Sequence, residues 1–405
     1  MNRSVVRRGV LVAAAAVLAI MALGIGVTVA LGRPVGRAPT NAVGTRVPVA
    51  TTPAALAVRI LPAGRAAINP TTPIVVQSPV GTVQSVTVAN VVTGTAVHGV
   101  LSQDRTTWTS TEPLGYGSSY RIDATAIMGD GATARRTETL TTLSPVAQAY
   151  PSMIPAPDQS DVGVGQPIVV RFDKAVTDRV AAEKALQVTA KPRQSGSWYW
   201  MSSKEVHYRP RNYWEPGSTV TLNARLYGVD LGDGAYGQTD RTETFRVHDA
   251  WIAKADGATK TMQIFDNGEL VKTIPISLGA PGFPTQSGPH VISNKQPSII
   301  MDSCTFGICK GQPGYYRERV SLNERISNDG EFVHSAPWSV GQQGNSNVSH
   351  GCVNLSPANA QWFYDHFGLG DVVEITNSGG TPLPVWDTYG DWTLTWPQWQ
   401  AGSAL

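Results

Sequence analysis

Cysteine is scarce in this 405-residue chain, which has three. An odd number excludes complete pairing within the chain, so at least one thiol has no intramolecular partner. Charge imbalance is also missing: 32 basic residues face 30 acidic ones, a formal net charge of +2. No Lys/Arg-rich run lies beyond the extreme N-terminus, which argues against nucleic acid as a partner. Long apolar runs are absent except for one, Gly9 to Leu31.

That run is uncharged, and as a helix it measures about 34 Å against roughly 30 Å of bilayer hydrocarbon. Arg3, Arg7 and Arg8 precede it, so the positive-inside rule places the N-terminus in the cytoplasm and the body of the chain outside. The expectation is a single N-terminal membrane anchor over residues 1–31, with a cleaved signal as the alternative and Thr28 and Ala30 as its small-residue cleavage pair. No cysteine stands near the segment, which argues against a lipid-modified cysteine anchor. Residues 32–55 are rich in Pro, Thr, Ala and Val and read as a linker that, extended, reaches up to about 70 Å.

From 56 to 249 short Val/Ile/Thr/Tyr runs alternate with Gly, Pro, Asn and Asp turn signals, the pattern of antiparallel strands. The region repeats itself. Gly117 to Ala124 answers Gly217 to Ala224, Gly129-Asp130-Gly131 answers Gly232-Asp233-Gly234, and Arg136-Thr137-Glu138-Thr139 answers Arg241-Thr242-Glu243-Thr244. The period is one β-sandwich long, and predicts two immunoglobulin-like domains at 56–147 and 148–249. Neither holds a cysteine, so the antibody-type disulfide is excluded.

A third domain, 250–377, opens with a hairpin around Asp266-Asn267-Gly268. It contains one well-signalled helix, with Ser356 as cap, Pro357 at its first position, Gly368 at its end, and Ala358, Trp362, Phe363 and Phe367 on a buried stripe. Residues 378–405 carry Trp386, Trp392, Trp396 and Trp399 and are expected to pack on this domain. The fold class is therefore mainly β: a membrane segment, two sandwiches, a β-rich domain with one or two helices, and a Trp-rich tail.

Ser349-His350-Gly351-Cys352-Val353-Asn354, with His334 upstream, assembles the parts of a cysteine nucleophile. A free thiol is only about 3% thiolate at pH 7, so a working cysteine needs an imidazole to take its proton. Glycine beside it removes a side chain where a carbonyl must approach and leaves amides to face an oxyanion. Cys304 and Cys309, five apart around Gly307, are expected to pair and so leave Cys352 reduced. Such a bridge closes a short loop and stabilises by only about 2 kcal/mol, so its use is to stiffen that loop.

His334-Ser335-Ala336-Pro337-Trp338 followed by Ser349 to Asn354 resembles the signature of the L,D-transpeptidases, whose YkuD-type domain cross-links peptidoglycan; the preceding pair of sandwiches resembles the mycobacterial and related actinobacterial members. The resemblance covers about 250–405. It implies Cys352 as nucleophile and His334 as base, with Ser335 orienting the imidazole through its carbonyl and His350 and Gly351 shaping the oxyanion pocket. It further implies that Asn354 fixes the loop or touches substrate, that Ser349 touches substrate, and that Tyr316, Met301 and Trp338 line the donor cleft or its lid. The expected partners are a tetrapeptide donor stem cleaved between meso-diaminopimelate and D-alanine, an acceptor stem, and carbapenems as covalent inhibitors, with no metal or cofactor.

Two departures from the family pattern stand out: Thr285-Gln286-Ser287-Gly288-Pro289-His290 replaces Thr-Pro-x-Gly before a strand, and Phe306 takes the place of a lid tyrosine. His290 and His366 fall outside the motif and read as structural. Two other functions compete with transfer: hydrolysis of the same thioester by an L,D-carboxypeptidase or endopeptidase, and non-catalytic wall binding through the sandwiches.

Overall fold

Every second residue of Ser119–Met128 is buried, from Tyr120 through Ile122 and Ala124 to Ala126, the period of a strand with one face on a core. The same logic builds most of the chain in the computed structural model, which describes residues 57–64 and 66–405. The anchor expected over 1–31 and the linker over 32–55 lie outside the described residues. Among the described residues no helix is long and apolar enough to cross a membrane.

Two sandwiches come first. One joins the sheet Arg59–Leu61, Val75–Gln77, Thr107–Ser110, Gly99–Leu101 to the sheet Gly81–Asn90, Ser119–Met128, Thr133–Thr141 around a shared core. The other packs two four-stranded sheets around Trp198, Trp200, Trp214 and Phe245. The repeat falls on one antiparallel strand pair in each. Arg136 pairs with Ala124 and Glu138 with Ile122; Arg241 pairs with Ala224 and Glu243 with Leu222. In both, the Arg and Glu form an ion pair along the strand, so the repeated residues serve cross-strand architecture.

The third domain holds a five-stranded sheet, ordered Glu269–Pro275, Thr261–Asp266, Trp251–Asp256, Val372–Thr376, Gly288–Val291, and a four-stranded sheet, ordered Asn294–Asp302, Arg317–Arg325, Phe332–Ser335, Val353–Leu355. The helix Pro357–His366 packs against the second sheet. Ser356 Oγ accepts from Asn359 N–H at its start. At its end Lys295 donates to the carbonyls of Tyr364 and Phe367, where a cation complements the helix dipole. Ala360, Phe363 and Phe367 form the buried stripe, whereas Ala358, expected on it, is exposed. With Pro357 as the first helical residue, the positions spaced by three and four from Phe363 and Phe367 fall on Ala360.

Gly163 lies where the second sandwich meets this domain. Its N–H donates to Leu369 O at 2.8 Å, and a Cβ there would stand 2.3 Å from the Asp371 nitrogen. Only glycine permits that approach.

The tail corrects an expectation. Its first residues do touch the catalytic domain, through Leu383 N–H to Ser287 O and Asp387 to Ser327, but its last tryptophans cross to the second sandwich. Trp399, fully buried, donates to Ser197 O at 2.9 Å and stacks on Tyr199. Arg209, also buried, lies over Trp392 and Trp399, each centroid 4.6 Å from the guanidinium carbon. The physical reason is a cation on the sandwich surface whose burial is compensated by aromatic faces and by carbonyls of the tail, Asp391 O and Leu394 O. Beside it His207 Nδ1 meets the Asp391 carboxylate at 3.0 Å, and Nε2 meets Glu205 at 2.8 Å.

Burial pushes the His207 imidazole down, but the Asp391 and Glu205 carboxylates outweigh it and hold the group at about 9, above its ordinary 6.5. The His207 hydrogen bond, opposed by burial, takes Glu205 down from 4.5 to about 2. The His207 contribution is thus complete below 6.5 and lost as pH rises through 9, while that of Glu205 is complete above 4.5 and lost as pH falls through 2. Melting temperature measured against pH should decline between pH 6.5 and 9, and His207→Gln should flatten that decline; an equally steep decline in the variant refutes this account.

Candidate active site

Two short parallel strands carry the site. Val333 pairs with Val353 and His334 with Asn354. Because side chains alternate between faces, His334, Asn354 and Cys352 point to one side, while Val333, Val353 and Leu355 enter the core on the other. Spacing alone therefore delivers thiol and imidazole to the same surface.

That surface is a cleft of about 260 Å³ lined by Met301, Tyr316, His334, Trp338, Ser349, His350, Cys352 and Asn354, together with Glu318, Val320 and Val348. All ten residues expected in the site except Ser335 and Gly351 line it, and these two act on it from behind. Ser335 O accepts from His334 Nδ1 at 2.9 Å. The proton is thereby fixed on Nδ1, leaving Nε2 to take another.

Gly351 has φ +115°, a backbone that side-chain-bearing residues rarely adopt. Its N–H donates to Ser349 Oγ, which donates in turn to Cys352 O at 2.6 Å. The amide expected to face an oxyanion is thus committed to the loop, because this turn points it at Ser349. Asn354 Nδ2 donates to Ser339 Oγ at 3.1 Å, and its backbone pairs with Ser277. Ser349 and Asn354 are ties of the loop as well as parts of its wall.

The lid descends from the other side. Cys304 and Cys309 are joined by a disulfide, and Cys352 is free. Asp302 accepts from Cys304 N–H at 3.0 Å, and Ser303 Oγ accepts from Tyr316 N–H at 3.0 Å, so the bridged turn is tied to the strand that presents Tyr316. The ring of the exposed His350 lies 4.6 Å from Phe283 and 5.2 Å from Tyr316. Trp338, 55% exposed, stands 6.0 Å from His334. The side chain of Phe306 lies outside the described residues.

The sulfur is buried with Met301, Val320 and Phe332. It approaches Gly330 O at 3.6 Å. Burial pushes the thiol up to about 12, although the Phe332 N–H facing it pulls the other way. Burial likewise pushes His334 down to about 4, against the Ser335 hydrogen bond. The resting pair is therefore a neutral thiol beside a neutral imidazole, suited to proton transfer during attack on a carbonyl rather than to a standing ion pair. Sequence reasoning missed Glu318, Val320 and Val348 in the wall and Gly330 and Phe332 at the sulfur. The last two carried a signal, since they stand just before His334 in the sequence.

Comparison with known proteins now decides the family. A Bacterial Ig domain model matches residues 65–230 and runs through both sandwiches, and the L,D-transpeptidase catalytic domain model (YkuD) matches residues 250–375. L,D-transpeptidase 2 of Mycobacterium tuberculosis is 44% identical over 341 residues, covering 84% of this chain and 83% of the relative. The chain belongs to the L,D-transpeptidase family. It is a cysteine-dependent acyltransferase of peptidoglycan cross-linking. L,D-transpeptidase 5 of the same organism is 36% identical over 352 residues, 85% of this chain and 76% of the relative. A solved structure of the L,D-transpeptidase LdtMt1 in complex with imipenem, 36% identical, covers 57% of this chain and 100% of its own, with a TM-score of 0.50.

The depressed imidazole sets the acid limit of this L,D-transpeptidase. His334 accepts a proton only when neutral, so kcat/KM should hold from neutral pH down past 6.5 and fall as pH drops through about 4. A pH–rate profile with its acid limb at 6.5 refutes the assignment.

Proposed function

We propose that Cys352 Sγ attacks the carbonyl joining meso-diaminopimelate to the terminal D-alanine of a tetrapeptide donor stem. As the C–S bond forms, the thiol proton passes to His334 Nε2. The imidazolium then returns it to the nitrogen of the departing D-alanine as the C–N bond breaks. The side-chain amine of an acceptor stem attacks the thioester and gives its proton to His334, and as the C–S bond breaks and the cross-link amide forms, His334 passes that proton to the departing sulfur. The observation that carries this reading is the shared cleft of Cys352 and His334, with Nδ1 held by Ser335 O. His350, Tyr316, Met301 and Trp338 give the wall the stem crosses, and the aromatic rim supplies apolar surface that excludes water from the thioester.

LdtMt1, a relative, is known with imipenem bound. We extend this to the present chain: a carbapenem, whose strained ring presents the same kind of carbonyl, acylates Cys352. Peptidoglycan stems and β-lactams thus compete for one sulfur.

The measurement is the mass of products from disaccharide-tetrapeptide. A dimer lacking one D-alanine supports transfer, and tripeptide alone means hydrolysis instead. Cys352→Ala should abolish dimer and carbapenem adduct together, and His334→Ala should slow acylation about 10²–10⁴-fold; cross-linking at the wild-type rate by Cys352→Ala ends the reading.

We further propose that Gly9–Leu31 anchors the chain in the cell membrane and that 32–55 and the sandwiches carry the cleft outward to the wall. The apolar length and the preceding Arg3, Arg7 and Arg8 support it. Intact Met1 to Leu31 should be found in a membrane fraction, and a mature N-terminus near Leu31 would mean cleavage.

A further inference from the structure

His290, in the segment where the chain departs from the family pattern, is fully buried, and Glu331, which immediately precedes the strand of His334, is buried as well. His290 Nδ1 lies 3.0 Å from Gly288 O, and Nε2 lies 3.4 Å from Glu331 Oε2. Each ring nitrogen thus faces an oxygen, and Nε2 and Glu331 Oε2, both buried, make no hydrogen bond among the described residues. The other Glu331 oxygen accepts from Gln286 N–H at 2.8 Å, while the Gln286 side chain donates to Asp329 Oδ2 at 3.3 Å and accepts from Ser327 Oγ at 3.4 Å. Gln286 and His290 accordingly brace the whole turn Ser327 to Glu331.

That turn forms the floor beneath the nucleophile. Gly330 O lies 3.6 Å from Cys352 Sγ, and Phe332 N–H faces the sulfur. Glu331 itself packs on Gly351, where a Cβ would stand 3.4 Å from Oε1. A buried carboxylate adjoining the reactive loop is costly unless a partner balances it, and His290 is the titratable group placed against it.

We propose that the buried Glu331–His290 pair is a positioning device for Cys352, holding the Gly330–Phe332 backbone against the sulfur and setting the negative charge that the sulfur meets as it ionises. The inference rests on Cys352 being the nucleophile. Glu331 opposes thiolate formation, whereas Arg325 favours it. Tyr316, Glu318, His334 and His350 are the other titratable groups around the sulfur. His290 stands against the same carboxylate, so the two residues are placed to act on the thiol as a unit.

Alkylation of Cys352 by iodoacetamide, followed against pH by mass spectrometry of the full chain, reads that charge directly. Glu331→Gln keeps the side chain's size and the acceptor for Gln286 N–H while removing the charge, and should move the alkylation profile to lower pH by about one unit. His290→Ala should lower kcat/KM for transfer about tenfold by leaving the carboxylate unbalanced, and adding Glu331→Gln should restore most of it, a coupling that independent structural damage does not give. An unmoved profile in Glu331→Gln, or effects that simply add in the double variant, overturns the inference. If Cys352→Ala is inactive while either of these results is obtained, the pair alone is refuted; if Cys352→Ala still transfers, the nucleophile reading fails as well.

Discussion

The register between a pair of short parallel strands determines the rest of the site. Once Val333 and Val353 are drawn into the same core, His334, Cys352 and Asn354 have only one surface on which to emerge. A slip by one residue would bury the imidazole in that core and turn the valines into the cleft. The strands are therefore held by more than their mutual pairing. The ladder runs on as Ala336 N–H donates to Leu355 O, and beyond it Asn354 pairs through its backbone with Ser277, which locks the second strand from its other side.

Desolvation then gives the site its chemistry. The same apolar wall that raises the thiol lowers the imidazole, so the two groups rest uncharged. A neutral thiol is a poor target for adventitious oxidants and a poor nucleophile in thiol–disulfide exchange, and the Cys304–Cys309 disulfide leaves no second free thiol beside it among the described residues. Charge develops only when a carbonyl enters, where interactions in a dry cleft are strongest. The cost of burying the nucleophile is thus offset at the step that uses it.

Legibility followed the range over which each signal acts. The hairpin at Asp266-Asn267-Gly268 was legible because Asn267 and Gly268 both adopt the positive φ that this turn demands. So were the helix cap at Ser356 and the Cys352–His334 pair, whose chemistry is written in a few adjacent residues. The repeat announced two sandwiches because both copies keep one register, Ala124 with Arg136 and Ala224 with Arg241. The tail was only half legible: its tryptophans signalled burial, but Arg209 and His207, which decide against what, lie nearly two hundred residues upstream. His290 and Glu331 were silent for a similar reason. Each is an isolated polar residue in or next to a short strand, and only the three-dimensional placement brings them together.

The crossing of the tail bears on how the molecule comes into being. Trp399 reaches back 202 residues to Ser197, and Ala404 reaches back 221 to Glu183. During synthesis the second sandwich is made long before the segment that covers its Arg209 face, and contacts of such separation are closed late. Contacts made by Trp392, Trp399 and Ala404 thus couple the second sandwich to a segment made much later, and its Arg209 face is completed only after the catalytic domain has been synthesised.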